Sequence, residues 1–297
     1  MDYRKIIIAH RAFYEIETRA RYYDQYLKSK VIESWNQPDL PMEEIEKLFL
    51  FIIHWDYHFK GDREAFRSFY YDNFDKFKQL EKVSLLDLDL EDRVTMNLIR
   101  DVFTGVANCS YGGRFESTDA SKILQTINPK LFVMWDMRIR KGILGSDSKY
   151  GAHYVGKFLP KMKQRLNNII EFTIKEKGCS PIEAINSIES YCDGKTMAKL
   201  LDEYNYMVFT MRTEFSAYLS GMGMNLSDFT SKENLKVKCQ VQDKFGDYGS
   251  FIELLNEVRS RNLIEAAERR HLENEWRNNP DRRTLIEERL NFLKNKQ

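Results

Sequence analysis

The sequence predicts an all-α protein of two helical lobes built from one continuous chain, and three observations carry that expectation. Six prolines and fourteen glycines among 297 residues leave long uninterrupted segments. Within those segments apolar residues recur at spacings of three and four, the period of a helix with one buried face. A single stretch, "NLKVKCQVQ" at 234–242, alternates as an extended segment would.

Taken in order, "MEEIEKLFLFIIHWDYHF" (42–59), "REAFRSFYYDNFDKFKQL" (63–80) and "EDRVTMNLIRDVFTGVA" (91–107) read as amphipathic or buried helices. "DASKILQTI" follows, with Ser117, Thr118 or Asp119 as its expected cap and Asn128–Pro129 as its stop. "MRIRKGI" comes next, with Asp136 directly before it as N-cap, where a carboxylate accepts backbone N–H bonds and meets the positive end of the helix dipole. Further helices are expected over 153–176, 181–191, 195–220, 248–277 and 281–295. Pro181 and Pro280 fall in first turns, where a missing N–H costs nothing. Short loops punctuate the pattern at 36–41, 111–118, 144–151 and 220–225, and the charge-dense stretch 255–297 reads as C-terminal helices with solvated faces.

Bulk properties exclude several functions. With 46 basic and 45 acidic residues the formal charge is +1, so an electrostatic partner must be sought locally. Cys109, Cys179, Cys192 and Cys239 are far apart, which argues for reduced thiols rather than a disulfide framework. "MDYRKIIIAHRAF" is too short and too charged for a secretory leader, and "LFLFIIHW" is far below the ~20 apolar residues that span a bilayer. A cytoplasmic monomer with no membrane partner is the expectation. No Walker loop, dinucleotide turn or nucleophile elbow occurs. His54 and His58 share a helix face but lack a third ligand, so no metal and no cofactor is expected. Asp202, Glu203 and Asn205 interrupt an otherwise apolar helix, as satisfied core groups or pocket residues would.

The most informative stretch is 105–165. "NPKLFVMWDMRIRKGILG" (128–145) sets an apolar run against a lone acid, then a basic helix start. Between 138 and 165 there are eight basic residues against one acid, Asp147, in a protein that is nearly neutral, and a local excess of that kind suits phosphate contacts.

This stretch resembles the helix-hairpin-helix DNA glycosylases. "TDASKIL" (118–124) is similar to the family's helix start. "FVMWDMRIRKGILG" (132–145) is similar to its apolar crossing, catalytic aspartate and following helix, with Asp136, Ile139 and Lys141 in register. The likeness covers roughly a fifth of the chain. It implies a two-lobed helical glycosylase-like domain over 1–297, with the hairpin and catalytic segment at 105–165. It also implies double-stranded DNA as partner and Asp136 as the catalytic carboxylate. Gly112, Gly113, Arg114, Lys122, Arg138, Arg140 and Lys141 become the expected DNA contacts. Tyr111, Trp135, His153 and Tyr154 become the expected stacking surfaces of a base pocket, since chemistry on a base requires it to leave the duplex.

Two departures shape the expectation. The family's Leu-Pro-Gly-x-Gly hairpin is replaced by "SYGGRFEST", and the lysine that forms a Schiff base in bifunctional members is replaced by Ser117 or Thr118, with Lys122 one turn further on. A monofunctional enzyme that activates water is therefore implied. Arg138 directly after the Asp136–Met137 pair, the degenerate hairpin and the extra helical sequence on both sides make the chain look divergent, and some divergent members of the family act against phages carrying modified cytosines. The alternative is a helical module that binds DNA or a protein partner without catalysis.

Overall fold

The computed structural model describes residues 1–28, 37–56 and 58–230, together with the single positions 272 and 290. The predicted extended segment 234–242 and the predicted helices of 248–297 lie outside the described residues, apart from those two positions. The chain divides into two compact units. The first comprises Met1–Ser216 and Leu226–Asn234, and every side chain considered below belongs to it.

Among the described residues the fold is all-helical, and its only β-pairing is an isolated antiparallel bridge between Gly61 and Ser110. Two helices precede the first that helical spacing predicts, α1 (Tyr3–Ile16) and α2 (Ala20–Lys28). The stretch "KIIIAHRAF", too short and too charged for a leader, buries Ile6, Ala9, Ala12 and Phe13 along one face of α1. Asp2 caps that helix, accepting from the Arg4 N–H at 2.9 Å.

Next come α3 (Met42–Trp55), α4 (Arg63–Asp72), α5 (Phe74–Glu81) and α6 (Arg93–Asn108). The single helix expected over 63–80 is broken at Asn73, whose side-chain amide donates back to the Phe69 carbonyl at 3.0 Å. That local bond competes with the helix ladder and divides the segment in two.

The chain then turns through Tyr111–Gly113 into α7 (Ser117–Ile127), which packs along α6. None of Ser117, Thr118 or Asp119 caps α7. The N-cap position is Glu116, without a side-chain bond, while the Asp119 carboxylate reaches across to the Lys60 N–H at 2.9 Å.

Asn128 stops α7 and is fully used. Its amide donates to the Leu80 and Val83 carbonyls at 2.7 and 3.0 Å, and its oxygen accepts from the Lys130 and Leu131 N–H groups. The crossing 131–135 that follows is buried throughout but pairs with no strand among the described residues. Buried backbone groups still need partners, and side chains supply them. The Val133 N–H donates to the Tyr154 hydroxyl at 3.1 Å, and that hydroxyl donates to the Val133 carbonyl at 2.9 Å. The Trp135 N–H donates to Ser121 Oγ at 3.1 Å, while its indole N–H donates to the Ser117 carbonyl at 3.3 Å.

Beyond the crossing lie α8 (Met137–Leu144), the short α9 (Gly151–His153), a π-helical turn (Tyr154–Phe158), α10 (Leu159–Lys177) and α11 (Pro181–Tyr191). Pro160 offers no N–H to the carbonyl four residues back, and the widened turn before it absorbs the defect. Pro181 opens α11 inside a complete capping box of Ser180 and Glu183. The segment expected as one helix over 195–220 is interrupted in the same way: α12 (Met197–Asn205), a second π turn (Tyr206–Thr210), then α13 (Arg212–Gly221), with α14 (Leu226–Thr230) after it. No helix of the described residues is long and apolar enough to cross a membrane.

Candidate functional site

Asp136 ends the buried crossing and begins α8. Its Oδ1 accepts from the Ile139 N–H at 2.7 Å, which is the expected N-cap bond. Its Oδ2 accepts from the hydroxyl of Thr210, the last residue of the second π turn. The carboxylate is half-buried and lies between exposed Met137 and Arg138 on one side and buried Trp135 on the other. Arg138 Nη1 donates to the Thr210 carbonyl at 2.8 Å, closing a small circuit between the start of α8 and the π turn.

Close packing permits that circuit. Gly142 faces the ring of Phe209, and a Cβ there would lie 2.2 Å from a ring carbon. The absent side chain lets α8 approach the π turn nearly backbone to ring. A π turn inserts one extra residue into the helix, and such insertions concentrate at functional positions.

Behind Asp136 stands a buried polar network. The Tyr206 hydroxyl donates to Glu17 at 2.7 Å, and Arg19 binds both oxygens of Glu17, at 2.8 and 2.9 Å. Burial raises the Glu17 carboxyl, but the bonds from Arg19 and Tyr206 outweigh it and hold the group below the usual carboxylate range. Deeper still, Lys199 donates to Asp202 at 2.7 Å, and His10 Nδ1 lies 2.7 Å from Glu203. The Lys199 ammonium also sits 4.5 to 5.1 Å from the ring centroids of Tyr23, Trp55 and Phe13. Burial pushes Asp202 upward against the opposing pull of Lys199, and the charges of Glu203 and Asp136 push the same way. Asp202 and Glu203 are thus internally paired groups, Asp202 near enough to Asp136 to feel its charge, and Asn205 is buried against Arg165 at 2.6 Å.

Apart from Arg138 and His153, the other residues expected at the site fall into three groups. Trp135 and Tyr154 are fully buried and pack with Phe103 and Phe158 in one aromatic cluster. These rings offer no free face to a flipped base. Arg140 and Lys122 are internal cations. Arg140 lies over the Trp135 ring and bonds to Ser117, Thr118, the Trp135 carbonyl and Asp147. Lys122 is paired with Asp56. The third group is at the surface: Gly112 in the left-handed region at φ 73°, Arg114, Lys141, and Tyr111 at 59% exposure; Gly113 ends the same Tyr111–Gly113 turn. His153 is half-buried, with Nδ1 2.8 Å from the Ser148 hydroxyl.

The run of eight basic residues is correspondingly dispersed. Arg140 and Arg165 face inward, and Lys149, Lys161 and Lys163 donate to the carbonyls of Phe115, Ile143 and Leu86. Lys149 nevertheless remains exposed beside Tyr150, itself 60% exposed and in ring contact with Phe115. Exposed cations and aromatics therefore collect at the turn 111–115 and the loop 147–150.

Spacing alone reached Asp136 but missed Thr210, Tyr206 and Glu17, which the fold brings in from distant positions. Among the described residues no group of three or more His, Cys, Asp or Glu side chains could hold a metal ion. No family model, curated protein or solved structure matches the chain.

Proposed function

We propose that this protein is a monofunctional DNA glycosylase of the helix-hairpin-helix type, which flips a base from double-stranded DNA and hydrolyses its N-glycosidic bond. The observation that carries this reading is Asp136. It is a half-buried carboxylate at a helix start, reached through two packed helices, a glycine-bearing turn and a buried crossing in the order the resemblance requires.

Breaking the bond between C1′ and the base nitrogen leaves positive charge on the sugar, and a fixed carboxylate beside it stabilises that charge. Asp136 also takes the proton of the water that attacks C1′, while the bonding electrons leave with the base. The surface group of Tyr111, Gly112, Arg114, Lys141, Lys149 and Tyr150 supplies phosphate and stacking contacts in this reading. Some divergent members of the family act on phage DNA with modified cytosines, so such duplexes belong among the first substrates assayed.

The test is incubation with unmodified, damaged and cytosine-modified duplexes, followed by alkaline cleavage at abasic sites. Asp136→Asn retains an acceptor for the Ile139 N–H while removing the charge, and base release should fall by about a hundredfold or more. Abasic sites formed undiminished by the variant would refute the mechanism. Strand cleavage without alkali would refute monofunctional chemistry.

A second reading, a non-catalytic helical module that binds DNA or a protein partner, is favoured by one observation. Both oxygens of Asp136 have protein donors, so capping and tethering account for the residue without a substrate. Duplex binding with no abasic sites on any substrate would select that reading.

A further inference from the structure

We infer that Thr210 and Arg138 are positioning residues for Asp136, and that Arg138 holds the carboxylate's support rather than a DNA phosphate; this rests on the glycosylase reading. A carboxylate held only by an N-cap bond can still rotate about its terminal torsion, because that torsion is broad. The hydroxyl of Thr210 removes this freedom by binding the second oxygen. Catalysis by a fixed charge depends on such pre-orientation, since a group that must reorganise stabilises the transition state less.

Arg138 explains itself on the same geometry. A cation in the first turn of a helix opposes the dipole and is locally unfavourable, yet Arg138 occupies that turn of α8. Its Nη1 donates at 2.8 Å to the carbonyl of the residue whose hydroxyl binds Asp136. The guanidinium thus ties the π turn to α8 at the peptide that carries the orienting hydroxyl. Gly142 against Phe209 keeps the two elements close enough for both bonds.

Three variants separate this role from its competitors on a duplex from which the wild type releases a base. Thr210→Val keeps the shape and removes the hydroxyl, so single-turnover base release should slow about tenfold, the worth of one hydrogen bond to a charged group. Thr210→Ser restores the hydroxyl and should recover to within about threefold, with DNA affinity unchanged in both. Arg138→Ala should slow release without altering Kd or its salt dependence. A phosphate contact would instead weaken binding and lower the slope of log K against log salt by about one.

Wild-type rates in Thr210→Val, failure of Thr210→Ser to recover, or a salt slope altered by Arg138→Ala would each overturn the inference. Should the wild type release no base at all, the glycosylase reading fails while the contact stays testable. In that case Asp136→Ala, Thr210→Val and their double variant are unfolded in urea. A double variant that loses less than the sum of the singles supports the tie, and additive losses overturn it.

Discussion

At Asp136 the observed cap of α8 and the proposed catalytic charge share one side chain, and they can be separated by choice of substitution. Asp136→Ala removes the cap of α8 and should lower stability by about 1 kcal/mol, read from urea unfolding. Asp136→Asn keeps an acceptor oxygen and should lose only a fraction of that. The cap was legible because it is a local relation, an acid placed directly before a helical pattern. Its second partner was not, because Thr210 lies 74 residues away and carries no periodic signal. Orientation misled the reading in the same neighbourhood. Arg140, Trp135 and Tyr154 have the chemistry of a DNA-facing site, but residue type does not reveal which way a side chain points, and all three point inward.

Helix spacing located most of the described helices past residue 41, and α11 matches its expected limits of 181–191. What spacing missed were the interruptions. The break at Asn73 and the π turns at Tyr154–Phe158 and Tyr206–Thr210 leave the apolar pattern almost intact, since each alters the register by a residue or less than a turn. The second π turn delivers Thr210 to Asp136, and its seating depends on Gly142. Gly142→Ala places a methyl group within the Phe209 ring and should cost about 1 to 3 kcal/mol as the elements separate. On the proposed glycosylase reading the same variant should also slow base release, because the Thr210 tie spans the widened gap. A Gly142→Ala protein with unchanged unfolding midpoint and unchanged rate would show that the two elements are not held by that contact.

Across the molecule, buried carboxylates divide into two sets with opposite pH behaviour. Glu17 and Asp56 lie below the usual range: burial raises both, but Arg19 and Tyr206 outweigh it at Glu17, as Lys122 does at Asp56. Their contribution is present above the ordinary carboxylate pKa and is lost as pH falls through their lower folded values. Asp119 is the reverse, pushed by burial up to about 6 against the pull of the Lys60 N–H and Lys122. The folded protein holds its proton where the unfolded chain does not, so this contribution is present at low pH and is lost as pH rises through about 6. Burial moves Asp202 in the same direction. Urea midpoints should therefore rise on going from pH 7.5 to about 5, then fall below about 4. Asp119→Asn can still accept from the Lys60 N–H without bearing the charge. It should be more stable than wild type at pH 7.5, by on the order of 2 kcal/mol, with the difference vanishing near pH 4. An unchanged pH profile would mean that the Asp119 charge is solvated.

The crossing that carries Asp136 has a consequence for how the chain can vary. A strand inside a sheet takes its alignment from neighbouring strands, and a slip of one residue exchanges one ladder bond for another. Here the bolts are individual side chains, Ser121 on the Trp135 N–H and Tyr154 on both polar groups of Val133. No slipped alignment reproduces them, so the span between Asn128 and Asp136 behaves as a ruler of fixed length. Insertions there would move the carboxylate off its mark, whereas the exposed loop that follows α8 can change length without shifting it.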